Sequence, residues 1–152
     1  MRAIVQRVAN ASVTVDGEIV SRIGRGVCVL VGIGKDDEQK DLEFLARKIL
    51  NLRVFEGENG ERWQKSVLAC DLELLCVSQF TLHAVLKGNK PDFHQSMGPD
   101  KAPELYNQFL DKLRSSYVPE RIKDGVFGAL MQVNIVNDGP VTITIDSKKE
   151  TS

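Results

Sequence analysis

The stretch Leu74-Leu75-Cys76-Val77-Ser78-Gln79-Phe80-Thr81-Leu82 joins an apolar run to a group of polar side chains. Its first four residues have the length and the residue types of a buried β-strand. The run ends abruptly at Ser78 and Gln79, and Thr81 adds a second hydroxyl group. A buried strand that ends in polar residues holds those residues on a rigid element. The stretch therefore predicts a central strand with a candidate site at its carboxyl end.

The residues on either side of this stretch predict the other elements of the fold. Alternating apolar residues around Asp16-Gly17 predict an opening hairpin, and residues 27–33 are apolar on both faces, as in a central strand. Periodic apolar residues predict two helices and then two final strands, in residues 42–50, 105–113, 131–136 and 141–145. The order β-β-β-α-β-α-β-β predicts an α+β fold with mostly antiparallel sheets, in a single domain over residues 1–152.

Composition limits the class of protein. Hydrophobic residues make up 42% of the 152 residues and charged residues 27%, as in an ordinary globular domain. No apolar run approaches the roughly 20 residues that span a bilayer, and the N-terminal residues lack the apolar region of a signal peptide. Cys28 and Cys76 lie in apolar runs, which predicts buried free thiols and a cytoplasmic setting. With only two histidines, the sequence predicts no zinc site.

The net charge of −1 predicts no global field that would attract a nucleic acid. Any RNA contact is therefore expected to be local, at an end of the molecule rather than along a duplex. The best candidate is the cluster of Lys87, Asn89, Lys90 and His94. Sequence alone favours the alternative that this cluster is an ordinary solvated loop.

The familiar catalytic motifs GxSxG, P-loop and HExxH are absent from the sequence. Ser78 would need a base to act as a nucleophile, and otherwise its hydroxyl satisfies backbone groups at the strand end. Thr81 is equally consistent with an ordinary strand residue, and Gln79 either donates its amide to a substrate or closes a turn. The residue types alone leave these alternatives open.

The stretch Asn137-Asp138-Gly139-Pro140-Val141-Thr142 is the second notable feature. Asp138-Gly139 is a turn dipeptide, and Pro140 lacks the N–H group that a central strand requires. One interpretation is a hairpin whose second strand begins at Pro140. The other is a cis Gly–Pro bond that aims two carbonyl oxygens in one direction. Since cis bonds occur at only about 5–6% of X–Pro positions, this stretch alone favours the hairpin.

Together, the two stretches resemble the D-aminoacyl-tRNA deacylase family in its widespread form. The resemblance extends over nearly the whole chain, and further matching segments occur at 1–8, 48–55, 87–94 and 123–128. Either short motif alone would be weak evidence, whereas both in the family's order and separation are strong evidence. The resemblance implies a homodimeric carboxylic ester hydrolase with sheets and helices in β/β/α layers, the two helices packed on one side. It would remove D-amino acids from tRNA, and glycine from alanine tRNA, without a metal or cofactor.

The resemblance also implies roles for particular residues. The family's pocket is lined by the residues that match Ser78, Gln79, Phe80 and Thr81 here. In the family the Gly–Pro bond is cis and enters the partner subunit's pocket, where Gly139 and Pro140 would bind the α-amino group and exclude an L side chain. The remaining matches are Phe127 and Met131 near the terminal adenosine, and Arg7 supporting the Gly–Pro loop. Ser96 takes a position in the pocket wall.

The resemblance leaves two mechanisms open for the catalytic step and includes one departure from the family pattern. Either Thr81 forms an acyl-enzyme, or the ribose 2′-hydroxyl activates water while N–H groups near Ser78 to Phe80 stabilise the oxyanion. The second is favoured because an aminoacyl ester is already activated and no residue is arranged to deprotonate Thr81.

The departure is Ser96, where the family usually has alanine. Because a hydroxyl adds little volume, we expect retained activity with slightly altered packing.

Two rival functions remain at this stage. The first is a non-catalytic nucleic-acid-binding protein linked to DNA replication, a role with which animal members of the family have been connected. The net charge and the absence of a long basic tail after Lys148 and Lys149 speak against it. The second is a related deacylase with relaxed chirality, in which the Gly–Pro bond would be trans.

Overall fold

The long first strand, β1 (Arg2–Val15), organises the sheet because it has three neighbours. One of its edges pairs with β3 (Gly26–Gly32) along its first half and with β2 (Glu18–Ile23) along its second half. The other edge pairs with β8 (Gln132–Asp146) along nearly its whole length. The predicted hairpin at Asp16-Gly17 joins β1 to β2 and is confirmed. The computed structural model describes residues 1–149.

The strand predicted from the opening stretch is β4 (Glu73–Ser78), and it lies parallel to both of its neighbours. It pairs with β3 on one side and with the short β7 (Ile122–Asp124) on the other. The helices α1 (Gln39–Asn51) and α2 (Ala102–Ser116) provide the two crossovers that parallel pairing requires. The remaining pairings are antiparallel, including that of β5 (Val85–Lys87) with β6 (Lys90–Asp92).

Two layers of apolar side chains hold the strands and helices together. Alternate residues of β3 and β4, such as Val29 and Leu74, contact the two helices in one buried cluster. The residues between them, such as Cys28 and Leu75, face the folded-back half of β1 in a second cluster. Both helices pack on one side of the sheet, so the predicted α+β fold and layer order are confirmed. Cys28 and Cys76 are buried free thiols, as predicted, and burial raises the pKa of Cys28 to about 12.

The last strand corrects one prediction. Residues 132–146 form a single strand, not two, and the hairpin beginning at Pro140 is not present. Along β1, Gln6 is opposite Thr142 but Val8 is opposite Asn137. Residues 138–141 therefore bulge out of the ladder opposite Arg7. The bulge leaves Gly139 and Pro140 exposed at the surface.

In the described residues, no helix is long and apolar enough to cross a membrane. Residues 150–152, the end of the C-terminal tail, lie outside the described part of the chain. The single domain over residues 1–152 stays a prediction.

Candidate active site

A cavity of about 620 Å³ opens at the carboxyl end of β4, where the sequence predicted a site. Its wall comes from five parts of the chain: the end of β3, the end of β4, the segment that leads into α2, the loop after β7 and the start of β8. Six residues proposed from the sequence line it: Ser78, Gln79, Phe80, Ser96, Phe127 and Met131. The fold thus brings residues 78–80 together with residues 127–131, about 50 residues further along the chain. Thr81 is not among the lining residues.

The backbone turns sharply where β4 ends. Gln79 N–H donates to the carbonyl oxygen of Val31 on β3 at 2.7 Å. A 3₁₀ helix, Phe80–His83, follows at once. The Gln79 side-chain amide donates to Thr81 Oγ1 at 2.5 Å, so the amide positions this exposed hydroxyl. This hydrogen bond favours a positioning role for Thr81.

An aromatic pair forms the outer wall of the cavity. The rings of Phe80 and Phe93 lie edge to face with their centroids 5.0 Å apart. The Ser96 hydroxyl donates to the carbonyl oxygen of Phe80 at 2.9 Å, a hydrogen bond that alanine could not make. The sequence analysis missed Phe93, although an aromatic residue in a polar loop could have suggested a binding role.

The Phe127 side of the cavity is supported from α2. The ring of Tyr106 lies 5.6 Å from the ring of Phe127, and the Tyr106 hydroxyl donates to Asp124 Oδ1 at 2.6 Å. Burial raises the pKa of Asp124, and the hydrogen bond from Tyr106 opposes this shift. Burial also raises the pKa of Tyr106, so this hydroxyl remains a donor. Tyr106 thus fixes the base of the loop that carries Phe127.

The substitution Tyr106→Phe should lower the free energy of unfolding by about 1–3 kcal/mol, because a half-buried carboxylate loses the only side chain that donates to it within residues 1–149. The pKa of Asp124 should rise further. A raised carboxyl pKa makes the folded state bind more protons, so stability falls as pH rises above about 4. The loss should therefore be larger at pH 8 than at pH 4, as measured by urea unfolding. An equal loss at both pH values would contradict this account.

Arg7, Gly139 and Pro140 form a separate group outside the cavity. Arg7 Nε donates to the carbonyl oxygen of Asp138 at 3.0 Å and lies 3.4 Å from its carboxylate. Arg7 Nη1 donates to the carbonyl oxygen of Val54 at 2.8 Å. The Gly139–Pro140 peptide bond is cis, as the resemblance implied. Arg7 supports the base of the bulge, and none of the three residues lines the cavity.

The other candidates are at the edge of the site or do not converge. Lys87 and Lys90 lie on the exposed β5–β6 hairpin next to Phe93, and Lys87 pairs with Asp92 at 3.3 Å. In residues 1–149, no group of three or more His, Cys, Asp or Glu side chains could hold a metal ion. His83 is buried, and its Nε2 lies 3.1 Å from the carbonyl oxygen of Gly32, so this nitrogen is not available to Thr81 as a base.

Residues 4–146 match the family model described as D-Tyr-tRNA(Tyr) deacylase. The chain therefore belongs to the D-Tyr-tRNA(Tyr) deacylase family, as its two motifs indicated.

Named relatives agree with this assignment. The chain is 63% identical over 147 residues to D-aminoacyl-tRNA deacylase 1 of Homo sapiens, covering 97% of this chain and 70% of that protein. It is 63% identical over 150 residues to D-aminoacyl-tRNA deacylase of Drosophila melanogaster, covering 99% and 94%.

Two solved structures are also similar. One, named c-Myc DNA Unwinding Element Binding Protein, has a TM-score of 0.94 and 63% identity, covering 96% of this chain and 98% of that one. The other, titled as a probable eukaryotic D-amino acid tRNA deacylase, has a TM-score of 0.81 and 21% identity, covering 95% and 97%. At that identity, the second likeness shows the fold alone.

Proposed function

We propose that this protein hydrolyses the ester bond between a D-amino acid and the 3′ end of tRNA, in the cytoplasm and as a homodimer. The observation that carries the proposal is the cavity at the end of β4, together with a projecting Gly139–Pro140 bulge that lies outside it. The family membership of residues 4–146 supports the reaction class.

The cavity suits the end of an aminoacylated RNA. Its wall is mainly apolar, and Phe80, Phe93 and Phe127 offer aromatic surface to a base. Phe127 and Met131 are proposed to contact the terminal adenine. The aminoacyl ester would then lie towards Ser78 and Gln79, where the polar groups of the strand end are. No side chain need contact the D side chain, which explains tolerance of many amino acids.

The separation of the two motifs supports the proposed homodimer. Gly139 and Pro140 are exposed and do not line the cavity of their own chain. A second copy could supply them, with the bulge entering the cavity from outside. Their carbonyl oxygens would accept hydrogen bonds from the α-ammonium group, and the bulge would occupy the space of an L side chain. Glycine has no side chain to reject, so glycyl-tRNA(Ala) is a proposed second substrate.

The proposed chemistry is an attack by water on the ester carbonyl carbon. The ribose 2′-hydroxyl of the substrate takes part in activating the water, and the ester C–O bond breaks to release the amino acid and the tRNA 3′-hydroxyl. The Gln79 N–H is already bound to Val31, whereas the Phe80 N–H begins a helix, where the first N–H groups lack intrahelical acceptors. The Phe80 N–H is thus the proposed oxyanion donor.

The substitution Thr81→Ala should leave hydrolysis of D-Tyr-tRNA within about 10-fold of wild type, the range expected when a positioning contact is lost but the nucleophile is retained. The measurement is single-turnover hydrolysis, with circular dichroism to verify the fold. Loss of all activity in a folded variant would instead make Thr81 the nucleophile of an acyl-enzyme.

The proposed function itself is tested by hydrolysis of D-Tyr-tRNA and L-Tyr-tRNA side by side, with the mass of the protein in solution measured in parallel. Rapid hydrolysis of the D form alone by a protein of dimer mass is expected. Equal hydrolysis of both forms would contradict chiral selection, and a monomer with full selectivity would contradict the shared site.

A second candidate function is DNA binding, which the name of the solved structure at 63% identity favours. Binding to a DNA duplex should weaken steeply with salt, with a slope of about −0.9 per neutralised phosphate. A shallow slope or no binding would leave hydrolysis as the only proposed activity.

A further inference from the structure

A second hollow, of about 420 Å³, lies beside the cavity. We call it the basic hollow; the residues of its lining that matter here are Arg2, Lys35, Asp36, His83, Lys148 and Lys149. Ile33 and Ser96 line the cavity, whereas their chain neighbours Gly34 and Gln95 line the hollow. Gly34 and Ser96 form an antiparallel bridge. The cavity and the basic hollow are therefore separated by a single pair of bridged backbone segments. Because consecutive Cα atoms are only about 3.8 Å apart, the residues that line one lie directly beside those that line the other.

Several charges around the hollow are already paired. Arg2 Nε lies 3.1 Å from Asp146, and Lys148 Nζ lies 2.9 Å from Asp41. The N-terminal ammonium group lies 2.7 Å from Asp37. These groups neutralise one another, and they fix the walls of the hollow.

Two lysines remain after this pairing. Within residues 1–149, neither Lys35 nor Lys149 has an ion-pair partner, and the carboxylate of Asp36 has none either. All three residues are exposed. The hollow therefore presents two free ammonium groups and one free carboxylate, an excess of positive charge that suits a single phosphate group.

His83 adds a neutral acceptor at the floor of the hollow. The residue is 8% exposed, and burial lowers its pKa, so the ring is neutral near pH 7. With Nε2–H donating to Gly32, Nδ1 carries a lone pair. Nδ1 is on the ring edge that faces Gly34, and a Cβ built on Gly34 would be 3.3 Å from it. No residue in the described range donates to Nδ1, so a ligand hydroxyl could do so.

We propose that the basic hollow binds the ribose and phosphate of the penultimate nucleotide when the acylated terminal adenosine occupies the cavity. Lys35 and Lys149 would bind the phosphate, and His83 Nδ1 would accept a hydrogen bond from the 2′-hydroxyl. This inference rests on the proposed function. A phosphate site next to an acceptor for a 2′-hydroxyl favours RNA, because the 2′-hydroxyl is the group that distinguishes RNA from DNA. It also explains how a chain with a net charge of −1 holds a polyanion locally.

The test compares two substrates that differ in whether they reach the hollow. D-Tyr-tRNA has the penultimate nucleotide, whereas 3′-D-tyrosyl-adenosine lacks it. The double variant Lys35→Gln/Lys149→Gln should lower kcat/KM about 10-fold on the tRNA and leave the adenosine ester unchanged. The slope of log kcat/KM against log salt should become shallower by about 0.7, the value for one neutralised single-strand phosphate. Lys112→Gln, on the exposed face of α2, is the matched control.

A second experiment uses a variant that is expected to gain activity, a result that misfolding cannot produce. Asp36→Asn removes the free carboxylate that opposes the phosphate, so kcat/KM on the tRNA should rise about 2-fold or more, again with no change on the adenosine ester. A tRNA with deoxyribose at the penultimate position should be a poorer substrate for wild type, by about 5-fold, because it lacks the donor to His83.

The outcomes separate this inference from the proposed function. If wild type hydrolyses neither substrate, the proposed function fails and the inference fails with it. If wild type hydrolyses both, and the double variant matches wild type on the tRNA, the inference alone is overturned. An equal loss on both substrates would assign the lysines to folding or assembly, and would also overturn it.

Discussion

The substitution Gly139→Ala should lower the rate of D-Tyr-tRNA hydrolysis by about 100-fold, the scale expected when a positioning element is displaced by about 1 Å. Gly139 has φ +131°, a backbone conformation that side chains rarely adopt. An added Cβ would lie 3.0 Å from both Cγ2 and N of Val141, and 3.2 Å from Nη2 of Arg7. The bulge would therefore shift and disturb the arginine that supports it. If the bulge of one subunit completes the cavity of the other, a shift of the bulge in one subunit alters the active site of its partner.

The matched control is Gly17→Ala, in the turn between β1 and β2. Gly17 also has positive φ, at +80°, but a Cβ there would have nothing within 4 Å. Both variants bear the strain of an L residue at positive φ, whereas only Gly139→Ala displaces the bulge. Single-turnover rates on D-Tyr-tRNA and L-Tyr-tRNA are the measurement. Equal rates for the two variants would show that the position of the bulge does not matter for hydrolysis.

The substitution Gly26→Ala should lower the free energy of unfolding by about 3 kcal/mol or more, at the upper end for overpacking in a core. A Cβ at Gly26 would lie 1.9 Å from the carbonyl oxygen of Glu73 and 2.8 Å from its carbonyl carbon. Since both atoms are backbone, no side-chain rotation relieves the clash. Strands β3 and β4 would have to separate at this end, and the same pairing aligns Val31 with Ser78 at the other end. We therefore expect reduced hydrolysis as well.

The matched control here is Gly24→Ala, two residues earlier. A Cβ at Gly24 would meet only the carboxylate of Glu73, at 3.6 Å, an ordinary contact. Urea unfolding should show a lower midpoint for Gly26→Ala and a nearly unchanged one for Gly24→Ala. Similar midpoints for the two variants would mean that the β3–β4 pairing tolerates a wider spacing than the structure shows.

Local patterns in the sequence were sufficient for the elements on which the site is built. The apolar run at 74–77 predicted a buried strand, and the polar residues after it predicted the place of the cavity. Residues 27–33, apolar on both faces, correspond to a strand between two apolar clusters. These predictions succeed because a buried strand requires apolar residues on each covered face, whatever its neighbours are.

Long-range pairing was not visible in the sequence. The structure shows that β8 is one strand with a four-residue bulge, where the sequence suggested two strands and a turn. The turn-forming residues Asp138 and Gly139 are compatible with a bulge within one strand and with a turn between two strands. The register along β1 decides between these two arrangements. In the same way, the polar loop around Phe93 could suggest a binding role, but nothing local placed Phe93 in the cavity wall or His83 in the basic hollow.

By itself, the sequence determined the first four strands and both helices, which of their faces are buried, and which two motifs carry the resemblance to the family. Only the tertiary structure decided that the Ser78–Phe80 strand end meets Phe127 and Met131 in one cavity, and that the Gly139–Pro140 bulge lies outside it. The physical reason is that burial and turn formation depend on neighbouring residues in the chain. The position of one motif relative to another depends on strand order and register, which are fixed by contacts between residues far apart in sequence.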